Sequence, residues 1–491
     1  MRKTKIIATI GPTSRTRDTL DQLIAAGMDC ARLNFSHGSH EDHGDVIRLV
    51  RELSQKHGRP VAILQDLSGI KMRLGEIDGL LQLNRDDEVT FVPETYTGQS
   101  DVIPFPQPRV ISSLRTGHQI FVADGSVRLE VMETDGEKIR AKVLDGGTLS
   151  SFKGVNLPGV AIDLPVLTDK DKIDLEFGVQ QQVDWVAVSF VRTVQDIRDA
   201  REYLGRIGSK AMLMAKLERS EAIENIDAIL RETDGVMVAR GDLGVEIPME
   251  RVPIVQKEIV KQASDLARIS VIATQMLSSM VISPTPTRAE VSDISNAVLD
   301  SCDAILLSEE TAVGEYPVDA VKVAVRAINE AESIYPYHRE LESRDRTQAI
   351  ASSAARLARS LHAKPIVVTS TGRAALEVSR FRPDADIIVF SHDPAVLRRL
   401  AMGWGLNPVG TLPPERDVAT LVRSLVEASM ANHLISESDV VTIVHGFLPG
   451  VSGTTNTIQV LDIREYLAST GSLSEAVATP TASSPSGSEC P

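Results

Sequence analysis

Short apolar runs of strand length recur through this chain, each followed by a segment of helix length, and no other feature constrains its fold as strongly. The runs fall at 5–10, 29–35, 61–66, 185–188, 210–215, 235–238, 270–273 and 304–307. The intervening pattern predicts helices over 17–26, 40–56, 169–181, 194–204, 220–229, 252–266, 287–300 and 317–333. Strands that alternate with helices at this spacing are parallel and are joined by right-handed crossovers. Eight such units predict an α/β fold of the (β/α)₈ barrel type, interrupted after its third strand. An open doubly wound sheet is the alternative for the same pattern.

The interruption has a different character. It is rich in glycine and turns, with short alternating pieces at 88–92, 119–123, 127–133 and 138–143 and no convincing helix, so it reads as an inserted β domain. A third unit carries strand cores at 366–369, 387–390 and 441–444 with helices between them. The expected organisation is therefore a barrel domain over 1–71 and 158–340, an inserted lid over 72–157 and a C-terminal α/β domain over 341–467. The tail, 468–491, is rich in Ser, Thr, Ala, Pro and Gly, and disorder is expected there.

The charge balance limits the function. With 52 Lys plus Arg against 67 Asp plus Glu, the net charge of −15 argues against a general nucleic-acid binder. It leaves room for a local basic cleft and a phosphorylated small molecule. The three cysteines, Cys30, Cys302 and Cys490, are far apart and form neither a disulfide framework nor a zinc spacing. The first residues lack the apolar stretch of a secretory leader, and no apolar run is long enough to span a bilayer, so a cytoplasmic protein without membrane contact is expected.

Polar side chains gather where the apolar runs end, the place where barrel enzymes keep their chemistry. In Ala31-Arg-Leu-Asn-Phe-Ser-His-Gly38, strand alternation puts Arg32, Asn34 and Ser36 on one face, a poor core pattern and a good phosphate or ion site. Asp66 ends the third run, and Lys71 and Arg73 follow as either hinge charges or substrate contacts. In Met212-Leu-Met-Ala-Lys-Leu-Glu218, Lys216 and Glu218 point the same way: a mobile positive charge for a moving phosphoryl group beside a hard oxygen ligand for Mg²⁺. Arg240-Gly-Asp-Leu-Gly244 offers exposed backbone N–H groups for an anion, and Asp242 as a second carboxylate for a divalent ion. Thr274 ends another run. Thr287 and Glu290 have capping-box spacing and read as structure. No G-x-x-x-x-G-K-[ST], H-E-x-x-H or G-x-S-x-G motif occurs.

Together the segments KTKIIATIGPTSR, ARLNFSHG, DLSGIKMRLG, FKGVNLPGV, DGVMVARGDLGVEIP, IATQMLSSM and PTPTRAEVSDISNAVLD resemble the pyruvate kinase family of bacterial type, in family order and spacing over nearly the whole chain except the tail. The resemblance implies a barrel domain, a mobile β lid, a C-terminal α/β domain and a homotetramer. It also implies the last step of glycolysis: phosphoryl transfer from phosphoenolpyruvate to ADP through a metal-stabilised enolate, giving pyruvate and ATP.

Carried over residue by residue, Glu218 and Asp242 match the ligands of Mg²⁺ or Mn²⁺. Lys216 matches the lysine that neutralises the transferring group. Arg32 and Arg73 match the arginines near phosphoenolpyruvate and the nucleotide phosphates. Gly241, Asp242 and Thr274 match the carboxylate-binding corner, and Thr274 also matches the threonine that delivers the enolate proton. Pro12, Asn34, His37, Arg73 and Lys153 match nucleotide-side positions. Asn34, Ser36, Asp66 and the carbonyl of Leu67 match the monovalent-cation ligands. Lys71 stands where potassium-dependent members carry Glu, so activity without K⁺ is expected.

Three departures are Ile70 in place of a usual Pro, Arg219 in place of a common Asn, and Glu309 in place of a usual Gly. In the C-terminal unit, Thr369, Ser370, Thr371, Gly372 and Arg373 outline an effector-phosphate loop for a sugar phosphate or nucleotide, with 450–456 as the facing loop. Two rival readings are a metal-dependent barrel lyase acting on a 2-oxo acid, which would need no ADP, and a dead effector-binding scaffold, which the retention of Lys216, Glu218 and Asp242 argues against.

Overall fold

The structure is a computed structural model and describes residues 2–97, 101–123, 125–160, 164–413, 415, 417–446 and 455–470. Eight parallel strands close into a barrel: β1 (Lys5–Thr9), β2 (Cys30–Asn34), β3 (Ala62–Asp66), β4 (Trp185–Val188), β5 (Met212–Leu217), β6 (Gly235–Ala239), β7 (Ile269–Ala273) and β8 (Ala304–Leu307). Each strand pairs with its sequence neighbours and β8 closes on β1. The closed barrel replaces the open-sheet alternative.

Strand period sorts the side chains. Ile7, Cys30, Ala62, Leu64, Trp185, Ala187, Met214, Met237 and Val271 fill the barrel axis. Ile6, Ala31, Leu33, Ile63, Leu213 and Val238 face the outer ring of helices. Extending the inward phase by two or four residues at the C-terminal ends of β2, β3, β4 and β5 reaches Arg32 and Asn34, Asp66, Ser189, and Lys216 and Glu218. The top of the barrel is polar because the inward register runs past the apolar layers there.

The surrounding helices start on their capping signals. Ser39 and Asp42 form a capping box on His40–Lys56, as Thr168 and Asp171 do on Asp169–Gln180 and Thr287 and Glu290 on Arg288–Leu299. Two expectations are refined: 220–229 is two helices, Ser220–Glu224 and Ile226–Glu232, and a short helix, Arg240–Glu246, follows β6 directly.

Between β3 and β4 the chain builds a six-stranded sheet, mainly antiparallel, in the order Val155–Asn156, Gln119–Val122, Val127–Thr134, Ile139–Asp145, Glu88–Val92, Val102–Pro104. Its apolar core, with Phe91, Phe105, Ile120, Leu129 and Val143, is separate from that of the barrel. The segment was expected to hold no helix, yet Pro108–Ser113 forms one. Proline at its first turn sets the backbone for helix, and Val110 and Ile111 are buried.

The C-terminal sheet has five strands, in the order Leu406–Thr411, Ile387–Ser391, Lys364–Val368, Val440–Gly446, Thr455–Asp462, and only the last is antiparallel. Both edge strands escaped the sequence pattern. Leu406–Thr411 contains Pro408 and Gly410, and Thr455–Asp462 is half-exposed, so neither reads as an apolar run. Residues 447–454, which include most of the expected facing loop, and 471–491, with Cys490, lie outside the described residues. Cys30 and Cys302 are buried thiols.

This sheet's unit covers the base of the barrel. The Trp185 indole donates to the Arg399 carbonyl (2.9 Å), and Arg398 pairs with Asp184 (2.9 Å). Lys5 donates to the Leu406 carbonyl (2.7 Å). Burial, outweighing the pull of Asp29, pushes Lys5 down from 10.5 to about 8. Between these values the unfolded chain binds more protons than the folded one, so this group's contribution to stability rises with pH from 8 to 10.5. The urea midpoint of the native chain minus that of Lys5→Met is expected to increase across this window; a pH-independent difference would contradict it.

Candidate active site

The C-terminal ends of β2, β3 and β5 hold a connected set of charges. Arg32 Nε donates to Asp66 (2.7 Å), and its Nη1 donates to the Thr9 hydroxyl (2.9 Å). Lys216 Nζ lies 3.2 Å from Asp66 Oδ1 and 2.9 Å from Glu218 Oε1. Asp66 and Glu218 are 1% and 3% exposed, and each has a cation facing it, the arrangement a buried carboxylate needs. Burial acts against the Lys216 charge, but Asp66 and Glu218 outweigh it and hold the ammonium above the ordinary lysine range. Burial likewise opposes ionisation of Asp66, and Lys216 and Arg32 hold it below the ordinary carboxylate range.

Sequence reasoning missed two groups that complete this set. Lys216 also donates to the Ser189 hydroxyl (2.8 Å), which donates in turn to the Leu67 carbonyl (2.7 Å). The Phe190 backbone N–H donates to Glu218 Oε2 (2.7 Å). Ser189 was legible, since it continues the inward phase of Trp185 and Ala187. Phe190 was not, because its role depends on a left-handed backbone (φ 55°) that no side-chain pattern announces.

The segment leaving β3 runs over this set. Gly69 has φ +61°, and a Cβ there would lie 2.8 Å from Ser189 Cβ and 2.9 Å from the Phe190 ring. Its N–H donates to Asp171 (3.2 Å). Lys71 is half-buried, facing Lys216 and Arg73 as like charges and Glu218 and Asp242 as opposite ones. Burial, then Lys216 and Arg73, lowers its pKa. Arg73 donates to the Phe152 carbonyl (2.9 Å) and bridges to Gly154. A cleft of about 510 Å³ lies between the inserted sheet and the barrel, with Lys71, Arg73, Lys153, Phe190, Arg219 and Asp242 among its walls.

Across the barrel top, Thr274 has φ 72° and Gln275 φ 55°. A β-branched residue in this region is strained. Thr274 is held by its hydroxyl, which donates to the Ala273 carbonyl (2.6 Å) and accepts from the Gly241 N–H (2.9 Å). Arg240 clamps the same turn at the Thr274 carbonyl (2.7 Å) and pairs with Asp293 (2.7 Å). Gly241 and Asp242 therefore begin the helix Arg240–Glu246 against the Thr274 turn.

The other sequence-selected residues are more dispersed. Asn34 Oδ1 accepts from the Ser36 N–H (3.1 Å), and Ser36 and Ser68 share a hydroxyl contact (3.2 Å). Pro12 and His37 are exposed in the loops after β1 and β2, and Lys153 is exposed on the inserted sheet. Thr369 is buried and accepts from the Gly372 N–H (2.9 Å); Ser370 is half-buried, Thr371 is exposed, and Arg373 pairs with Asp345.

Among the described residues no group of three or more His, Cys, Asp or Glu could hold a metal. Glu218 and Asp242 supply two hard oxygen donors, which does not fit zinc. It fits Mg²⁺ or Mn²⁺, ions that take remaining ligands from substrate and water.

A barrel with lysine, arginine and paired carboxylates at the C-terminal strand ends, under an inserted sheet, is the layout of a barrel enzyme acting on a small anionic substrate. Two family models match: "Pyruvate kinase, barrel domain" over residues 1–321 and "Pyruvate kinase, alpha/beta domain" over 348–461. The chain is 43% identical to a pyruvate kinase of Agrobacterium vitis over 476 residues, 94% of this chain and 97% of that protein. It is 41% identical to "Pyruvate kinase 2" of a Synechocystis strain over 474 residues, 95% and 80% of the two chains. It is also 41% identical to the pyruvate kinase of Geobacillus stearothermophilus over 483 residues, 95% and 81%. The chain belongs to the pyruvate kinase family, and its activity is transfer of the phosphoryl group of phosphoenolpyruvate to ADP, giving pyruvate and ATP. Family membership implies Mg²⁺ dependence.

Gly69→Ala is expected to destabilise the fold by about 1–3 kcal/mol, because it combines a left-handed backbone with contacts to Ser189 and Phe190 that cannot be accommodated. Urea unfolding of the variant measures this; an unchanged midpoint would contradict it.

Proposed function

We propose that the charge set around Lys216 carries the phosphoryl transfer. The observation that supports this most directly is the position of Lys216, whose ammonium is fixed by Asp66, Glu218 and Ser189 at the mouth of the barrel. Transfer between phosphates needs positioning and charge neutralisation more than an internal nucleophile. In this reading Lys216 and Arg32 meet the phosphoryl oxygens of phosphoenolpyruvate. The substrate carboxylate lies against Gly241, Asp242 and Thr274. Arg73 and Lys153, on the lid side of the cleft, meet the phosphates of ADP, with Pro12, Asn34 and His37 on the nucleotide side.

Glu218 and Asp242 would hold the divalent cation, which when bound supplies further neutralisation of the charge that develops on the transferred group. Thr274, whose hydroxyl donates to the Ala273 carbonyl and accepts from the Gly241 N–H, orients a water that gives its proton to the enolate of pyruvate and regains one from solvent. Its strained turn and its bond to Gly241 fix the direction in which that hydroxyl points.

Potassium is not required in this reading. Two cations already face the buried Asp66 carboxylate, Arg32 and Lys216, while its Oδ1 makes no hydrogen bond; Asn34 accepts from Ser36, and Ser36 meets Ser68. Lys71 adds a positive charge facing Glu218 and Asp242. We further assign residues 72–157 as a mobile lid, a homotetramer as the working state and the cytoplasm as the location. The Thr369–Arg373 loop is assigned to an effector phosphate of a sugar phosphate or nucleotide that regulates the enzyme allosterically. No helix among the described residues is long and apolar enough to cross a membrane.

ADP-dependent pyruvate release with Mg²⁺ and without K⁺ is expected to be robust and to vanish on chelation; silence that K⁺ relieves would discard the role of Lys71. Lys216→Met is expected to lower kcat by about 10²–10³-fold, the loss typical of one preorganised electrostatic group, with a smaller change in KM. A near-native kcat would overturn the assignment.

A further inference from the structure

The residue after Glu218 is a buried cation outside the charge set. Arg219 is 4% exposed. Its Nη1 donates to Glu246 Oε1 (2.9 Å), in a pair whose side chains are 5% and 0% exposed. Its Nη2 donates to the Leu157 carbonyl (3.2 Å), with the Val160 carbonyl at 3.4 Å and Glu221 at 3.2 Å. These partners belong to three different bodies. Leu157 and Val160 lie where the chain returns from the inserted sheet to the barrel. Glu246 ends the helix that begins with Arg240, Gly241 and Asp242. Glu221 opens the helix after β5.

Burying a guanidinium is costly unless its donors are used; in Arg219 both Nη groups are bonded and the buried Nε is not, and the two bonded ends of the planar fork hold their acceptors in one geometry. The planar fork cannot follow a displaced hinge carbonyl and keep its bond to Glu246. We propose that Arg219 is a positioning residue that couples the returning hinge of the lid to Glu218 and to the helix bearing Asp242. Movement of the lid then reaches the two carboxylates through one rigid side chain. This rests on the reading of those carboxylates given above. The second crossing, at Gly69, is tied differently, through its N–H to Asp171. Arg219 is therefore the charged strap on the return side.

The test uses the full chain, with steady-state kinetics and hydrogen–deuterium exchange of the segment 155–160. In Arg219→Met, exchange across 155–160 is expected to accelerate on the order of tenfold, as a released local unit does. The Mg²⁺ concentration for half-maximal rate should rise, and kcat should fall about tenfold to hundredfold through misplacement of the site. Arg219→Lys keeps the charge facing Glu246 without the fork, and should recover part of the Mg²⁺ response while leaving 155–160 fast. If Arg219→Met does not fold, Glu246→Gln carries the test in the same direction. A folded variant with native exchange at 155–160 and native kcat overturns the proposal. So does a uniform loss of stability with no local change at 155–160 and no shift in Mg²⁺ response. Failure of the native chain to make pyruvate from phosphoenolpyruvate and ADP would instead count against the underlying reading, and the exchange result would still judge the strap.

Discussion

Everything at the barrel mouth depends on the interlocked charges of Arg32, Asp66, Lys216 and Glu218. Taken singly, each of these groups would be expensive to remove from water. Together they alternate in sign, and each carboxylate has a cation within 3.2 Å. Such an arrangement is stable only if several strands deliver their ends to the same level, which closure of the barrel guarantees. The fold thus makes the charge set affordable, and the charge set penalises any shift of one strand against another.

Much of this was legible in the sequence because strands have a period of two. Arg32 and Asn34, or Lys216 and Glu218, are recognisable as inward-facing pairs once the apolar run before them is seen. The eight runs were placed within a few residues because buried parallel strands are apolar throughout. Period alone could not show which charges meet. The pairing of Arg32 with Asp66 is a register fact, set by Asn34 lying opposite Asp66. The Phe190 amide, the strained Thr274 and the buried span of Arg219 depend on backbone dihedrals and tertiary reach. Edge strands such as Leu406–Thr411 were missed because one side lacks a partner and tolerates proline.

The opposite end of the barrel is organised on another principle. There hydrogen bonds from buried side chains to backbone carbonyls, Trp185 to Arg399 and Lys5 to Leu406, stand beside separate ion pairs such as Arg398 with Asp184. The axis between the two ends is filled by Leu64, Trp185, Met214 and Met237. Interiors packed in this way have low compressibility. The C-terminal unit and the charge set therefore sit at the two ends of one column of packed side chains.

The two strands of chain that serve the inserted sheet lie side by side. Leu74 donates to the Lys153 carbonyl, Val155 to the Met72 carbonyl, and Arg73 bridges to Gly154. Seen from the barrel, a whole domain has the footprint of a hairpin. The entropy of closing a loop depends on the length left free between its ends, and here the zipped neck leaves little. The barrel can therefore complete its ring as though β3 and β4 were joined by an ordinary crossover through the helix Asp169–Gln180, and the size of what hangs beyond the neck is free to vary without disturbing the ring.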